Sequence, residues 1–162
     1  SSAASDVYKR QGPMKVIYDM TMGVGEPHYA QMIKADKIKT IEVYPQAENK
    51  HPLAIWDVKD AGVTRNGNKV LVKMVAVRST LTPTDFELKD GDEVTVAITN
   101  IEQTTDELHG FGLLDYNINV VIDPGETKTV TFTAKKSGVF AYYCTNFCSA
   151  LHQEMQGYMV VK

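Results

Sequence analysis

Cysteine is scarce in this 162-residue chain, with one at position 144 and one at 148. So few thiols exclude a disulfide-rich scaffold, which uses several bridges to replace a core it cannot build. Histidine is nearly as rare: His28, His51, His109 and His152 are the whole set, and Trp56 is the single tryptophan. Basic excess is missing too, because 17 Lys and Arg against 20 Asp and Glu give a formal charge of −3. That balance argues against a nucleic-acid binder, whose footprint is cationic. No apolar run approaches the roughly 18–20 residues that cross a bilayer as a helix, so no membrane span is read. The start has no basic segment leading into an apolar stretch, so no secretory leader is read either. What the chain does have is 43% hydrophobic residues, enough for the core of one domain with an additional segment.

Residues 1–13, "SSAASDVYKRQGP", are polar and patternless and resemble cloning- or adapter-derived translation. They are set aside as a leader, non-native or disordered, and the chain reads as a fragment. Residues 14–65 form a connecting segment: "GVGEPH" (23–28), a short helix over 29–38, a strand-like "KTIEVY" (39–44), and then a loop-rich stretch with no strong period. Residues 66–162 read differently, as short strands punctuated by turns. "KVLVKMVAV" (69–77) is a β-branched run of strand length, and "EVTVAITN" (93–100) alternates Val94, Val96 and Ile98 inward against Thr95, Ala97 and Thr99 outward. "INVVI" (118–122), "KTVTFTA" (128–134), "VFAYYC" (139–144) and "YMVVK" (158–162) complete the series, separated by "DPGE" and "KKSG" turns. Strands at this spacing predict an all-β antiparallel sandwich or barrel, and nothing asks for a βαβ unit.

The chain's thrift with soft side chains ends in "YYCTNFCSALHQEM" (142–155), which holds Cys144, Cys148, His152 and Met155. Several readings compete. The offsets fall on one helical stripe, where core-facing Cys and Met are ordinary. A disulfide between cysteines so close in sequence has poor Cα geometry. Zinc accepts two thiolates and two imidazoles, but a methionine adds nothing for it. Copper uses thiolate, thioether and imidazole alike. A mononuclear blue-copper site takes one cysteine, two histidines and a weak axial methionine, one thiolate fewer than this run offers. A second thiolate permits two coppers bridged by two sulfurs, each capped by an imidazole. The further imidazole has a natural candidate in His109, within the polar loop "DELHGFGL" (106–113), if two loops meet at one end of a sandwich. Trp56 reads as a packing anchor rather than a redox relay.

The pattern C-x₃-C-x₃-H-x₂-M after a Tyr-rich strand, with a histidine upstream, resembles the binuclear CuA centre of a cupredoxin domain. Subunit II of haem–copper oxidases and nitrous-oxide reductase both carry it. "DELHGF", "VTFTAKKSGVFAYYC" and "CSALHQEMQGYM" resemble the nitrous-oxide reductase family more closely. That resemblance implies a cupredoxin-like Greek-key β-sandwich, preceded by a loop-rich segment from a β-propeller. It implies two copper ions held by His109, Cys144, Cys148, His152, Met155 and the backbone carbonyl of Asn146. Thr145-Asn146 departs from the Ser-Trp of many relatives, at a point where only a carbonyl is needed. Through its "GEPH" stretch the resemblance implies that His28, otherwise an exposed loop histidine, is a ligand of the catalytic CuZ copper–sulfide cluster in the full-length enzyme. The resemblance further implies a c-type cytochrome or small cupredoxin as electron donor, N₂O reduction at the propeller, a homodimer at full length and a periplasmic location. Asp106, Glu107 and Asp115 flank the His109 loop and read either as a solvated acidic rim or as residues that anchor His109 or dock a basic donor. A subunit II fragment and a stand-alone copper-binding cupredoxin are the alternatives.

Overall fold

The computed structural model describes residues 49–104 and 106–162. The leader, the helix over 29–38, the strand-like 39–44 and His28 lie outside the described residues. Ten strands make up the described fold: β1 (Gly62–Asn66), β2 (Lys69–Val77), β3 (Thr80–Thr82), β4 (Asp85–Leu88), β5 (Glu93–Asn100), β6 (His109–Leu113), β7 (Ile118–Ile122), β8 (Thr127–Thr133), β9 (Gly138–Tyr143) and β10 (Gln156–Val161). They form two sheets, one ordered β1-β2-β5-β8 with β3 also on β2, the other β4-β10-β9-β6-β7. No α-helix occurs among the described residues.

The alternation predicted for 93–100 holds on its inner face. Val94, Val96 and Ile98 join Val70, Val72 and Met74 in a buried cluster with Phe86, Leu88, Phe111, Leu113, Tyr142, Met159 and Val161 from the other sheet. Tyr142 is the centre of that second layer, with its ring 5.6 Å from both Phe86 and Phe111, and its hydroxyl donates to the Pro83 carbonyl. The outward face departs from expectation, because Ala97 and Thr99 are also buried. The reason is local cover: residues 49–55 cross this face, where Ile55 N–H donates to Thr99 Oγ1 and Asn49 Nδ2 donates to Thr127 Oγ1.

Three further differences from the sequence reading have physical causes. The sandwich is not purely antiparallel: β2–β5 and β4–β10 pair in parallel, because the chain changes sheet between β3 and β4 and returns for β5. β1 lies in the stretch read as loop-rich. It is an edge strand, exposed along most of its length, so no apolar alternation marks it. β6 begins at His109 and is buried throughout, although "HGFGL" reads as a loop because glycine is depleted in strands.

The "DGD" turn between β4 and β5 is fixed by Asp92. Its buried carboxylate accepts both Arg65 guanidinium nitrogens, at 2.6 and 2.7 Å, and the Lys89 N–H at 2.6 Å. Arg65 foremost, against the cost of burial, holds the Asp92 carboxyl below its usual range. A depressed folded-state pKa stabilises the fold above the unfolded carboxylate value of about 3.9 and loses that effect as pH falls through the folded value. Asp92→Asn is therefore expected to cost about 1–2 kcal/mol at pH 7, discounted for the partly exposed Arg65. The gap to the parent chain should close below about pH 4, which urea unfolding across pH 2–7 would measure.

Candidate metal centre

Two hairpin ends build the site. β9 and β10 pair antiparallel with Tyr143 opposite Gln156, and the ladder continues one step as Cys144 N–H donates to the Met155 carbonyl at 2.9 Å. Residues 144–155 are thus a loop closed at its base, with a 3-10 turn over His152–Glu154. This disposes of the helix-face reading. β6 lies beside β9 with Gly112 opposite Tyr143, so His109 at its start arrives next to the first residues of the loop.

The donors converge. Cys144 Sγ lies 3.9 Å from Cys148 Sγ, and both cysteines are free. His109 Nδ1 is 4.0 Å from Cys144 Sγ, His152 Nδ1 is 3.5 Å from Cys148 Sγ, and Met155 Sδ is 3.6 Å from Cys148 Sγ. The Asn146 carbonyl oxygen is 3.1 Å from Cys144 Sγ. Ligand atoms of His109, Cys144 and Cys148 lie within 4.8 Å of one another. Each sulfur therefore faces its own imidazole, with one thioether and one carbonyl beside the pair. A thioether buried to 0% exposure and aimed at a thiol suits a soft metal and is wasted on zinc. The residues present fit copper.

Burial and neighbours set the two thiols apart. For Cys144, burial opposes ionisation, but the His109 ring and the Gly110 N–H at 3.3 Å outweigh it and lower the pKa. For Cys148, burial and then the neighbouring Cys144 push the thiol up to about 11. Cys148 thus keeps its proton at neutral pH until a metal replaces it.

The carboxylate on His109 is one that the sequence reading missed. Glu102 Oε1 lies 3.2 Å from His109 Nε2 and also accepts the Arg78 N–H at 2.6 Å. Burial works to lower the His109 pKa, but Cys144 and Glu102 together raise it. A hydrogen bond at Nε2 fixes the tautomer and leaves Nδ1 turned toward the sulfurs. Of the residues expected in this role, Glu107 is 3% exposed and paired with Arg78. Asp106 and Asp115 are exposed. No motif marks Glu102, because the loop 101–108 has no period from which a contact can be read. A groove of about 790 Å³ lined by Leu53, Arg65, Leu71 and Phe132 contains none of these donors, which come instead from the 144–155 loop and the start of β6.

The cupredoxin-like domain profile matches residues 52–161. The chain belongs to the cupredoxin-like domain family. Within it, the chain is 46% identical over 138 residues to the nitrous-oxide reductase of Cupriavidus necator, covering 85% of this chain and 21% of that protein. It is 33% identical over 135 residues to cytochrome c oxidase subunit 2 of Thermus thermophilus, covering 83% and 95% respectively. A haem–copper terminal oxidase structure shares the cupredoxin fold at a TM-score of 0.54 and 21% identity, over 90% of this chain and 95% of that one. The resemblance read from "DELHGF" and "CSALHQEMQGYM" is borne out: nitrous-oxide reductases are homologues of this cupredoxin, with oxidase subunit 2 at lower identity. The chain spans about a fifth of the length of the reductases it matches. Fold, homologues and donor set together support copper binding, and no helix among the described residues is long and apolar enough to cross a membrane.

Proposed function

We propose that this cupredoxin is the CuA electron-transfer domain of a nitrous-oxide reductase. The observation that carries the reading is the pairing of two free sulfurs 3.9 Å apart, each facing an imidazole nitrogen. His109, Cys144, Cys148, His152, Met155 and the Asn146 carbonyl would hold two copper ions. When bound, such a pair would supply one-electron transfer. The chain's own residues do the rest. Glu102 holds the Nε2 proton of His109, the buried His109 and Met155 keep water from the inner side, and Cys148 gives up its Sγ proton on loading.

In the whole enzyme, electrons would arrive singly from a c-type cytochrome or small cupredoxin. Exposed Asp106 and Asp115 supply negative charge for a basic donor to meet. They would pass to a CuZ cluster in a β-propeller, with His28 among its ligands, where N₂O is reduced to N₂. A periplasmic location and a full-length homodimer belong to the same proposal, as does the division into a leader (1–13), a propeller end and connector (14–65) and the copper domain (66–162). The oxidase subunit 2 reading draws on the 95% coverage of that relative, but the reductases match at higher identity.

Copper reconstitution of the chain followed by EPR tests the centre. Two coppers per chain with a seven-line hyperfine pattern is the expected result, and one copper with four lines would refute it. Met155→Leu should retain both coppers and shift the reduction potential, since a weak axial donor tunes rather than holds the metal. Loss of all copper from that variant would contradict the assignment.

A further inference from the structure

The loop that carries four of the donor side chains is tied down at two points by residues outside it, one on each sheet. At its entry, Thr145 Oγ1 lies 2.7 Å from Asn119 Oδ1 on β7. The Thr145 side chain occupies a slot on β6 made by two missing side chains. A Cβ at Gly110 would sit 2.1 Å from Thr145 Oγ1, and one at Gly112 would sit 2.6 Å from Thr145 Cγ2. At the middle of the loop, Ser149 Oγ lies 2.7 Å from Ser79 Oγ, in the turn between β2 and β3 of the other sheet. The same Ser149 hydroxyl accepts the Leu151 N–H at 3.2 Å, and the Ser149 carbonyl accepts the His152 N–H at 3.1 Å. Ser149 therefore orients the turn that presents His152.

These ties bracket the site. Thr145 is flanked by Cys144 and Asn146, and Ser149 follows Cys148. The next residue to Ser79 is Arg78, whose N–H holds Glu102 on His109. We propose that Thr145 and Ser149 are positioning residues that hold the ligand loop in its metal-ready arrangement before any metal arrives. The inference rests on the copper reading only for the identity of the metal. Its physical content is preorganisation: a donor set already assembled binds in proportion to the fraction of molecules that have it assembled. Each hydroxyl contact has the strength of an ordinary hydrogen bond, so its loss should lower the ratio of assembled to open loops about three- to tenfold.

The test uses the full chain with Thr145→Val, which keeps the shape in the glycine slot, Ser79→Ala, and the double variant. Amide hydrogen exchange of the metal-free chain reads the loop directly. The hydrogen-bonded loop amides of Leu151, His152, Glu154 and Met155 should exchange about three- to tenfold faster in each single variant, and faster still in the double, with strand amides unchanged. After copper loading, each variant should bind as many coppers as the parent. The final spectrum should form more slowly in the double variant than in the parent. Unchanged loop exchange in the double variant would overturn the proposal, as would acceleration spread equally over β2, β5 and β10. If the parent chain fails to form a binuclear spectrum, the copper reading falls, while hydrogen exchange still decides the positioning role.

Discussion

Cys148→Ser is expected to leave a folded sandwich that can no longer hold the proposed pair of coppers. Cys148 is half-buried, and serine matches it in shape, so the substitution should cost no more than about 1–2 kcal/mol in stability. The chemistry changes far more. Cys148 Sγ is the atom toward which Cys144, His152 and Met155 all point, at 3.9, 3.5 and 3.6 Å. A serine hydroxyl is a hard donor that keeps its proton at neutral pH, and soft copper has little use for it. One thiolate, two imidazoles and a thioether would remain, the set for a mononuclear site. Copper per chain should fall from two to one or fewer, and the seven-line spectrum should give way to four lines or none. Retention of the binuclear spectrum would disprove the role assigned to Cys148.

Gly110→Ala should damage the same centre without touching a donor atom. The new Cβ would lie 2.8 Å from the Thr145 N and 3.0 Å from the Asn146 N, besides 2.1 Å from Thr145 Oγ1. The hydroxyl can rotate away, but the two backbone nitrogens cannot, so residues 145–146 must shift. Overpacking of this kind costs about 1–3 kcal/mol, or a fall of roughly 3–10 °C in Tm for a domain of this size. The shift carries the Asn146 carbonyl with it and strains the Gly110 N–H contact to Cys144 Sγ. Copper loss to a chelator should speed up about tenfold or more, with altered hyperfine couplings. Unchanged melting and an unchanged spectrum would show that β6 and the loop are not packed as described.

Gly110 also explains why part of the fold was illegible in the sequence. "HGFGL" has two glycines in five residues and no alternation, so it reads as part of a polar loop with His109 in it rather than as a strand. In the fold it opens a fully buried strand, and the glycines are there because Thr145 packs where their side chains would be. Tertiary packing overrides the local preference. β3 and β4 went unread for a plainer reason: three- and four-residue strands are too short for a period to show. By contrast, β2, β5, β7 and β8 were legible because each is long enough to display β-branched runs or alternation.

The division between the two levels is sharp at the metal centre. The sequence by itself determined the inventory: two thiols, a thioether and an imidazole at fixed spacing, in a chain with no other cysteine, so that only soft-metal chemistry used all four. Spacing could not decide whether that run was helical, because offsets of four and three suit a helix as well as a loop. The tertiary structure decided it, by closing residues 144–155 at the β9–β10 ladder. It alone put His109 against Cys144, placed Glu102 on the far ring nitrogen of His109, and tied Thr145 to Asn119 and Ser149 to Ser79. These are contacts between segments far apart in the chain or held in a loop without period. Local sequence encodes which donors exist, whereas sheet register and loop packing encode which of them meet.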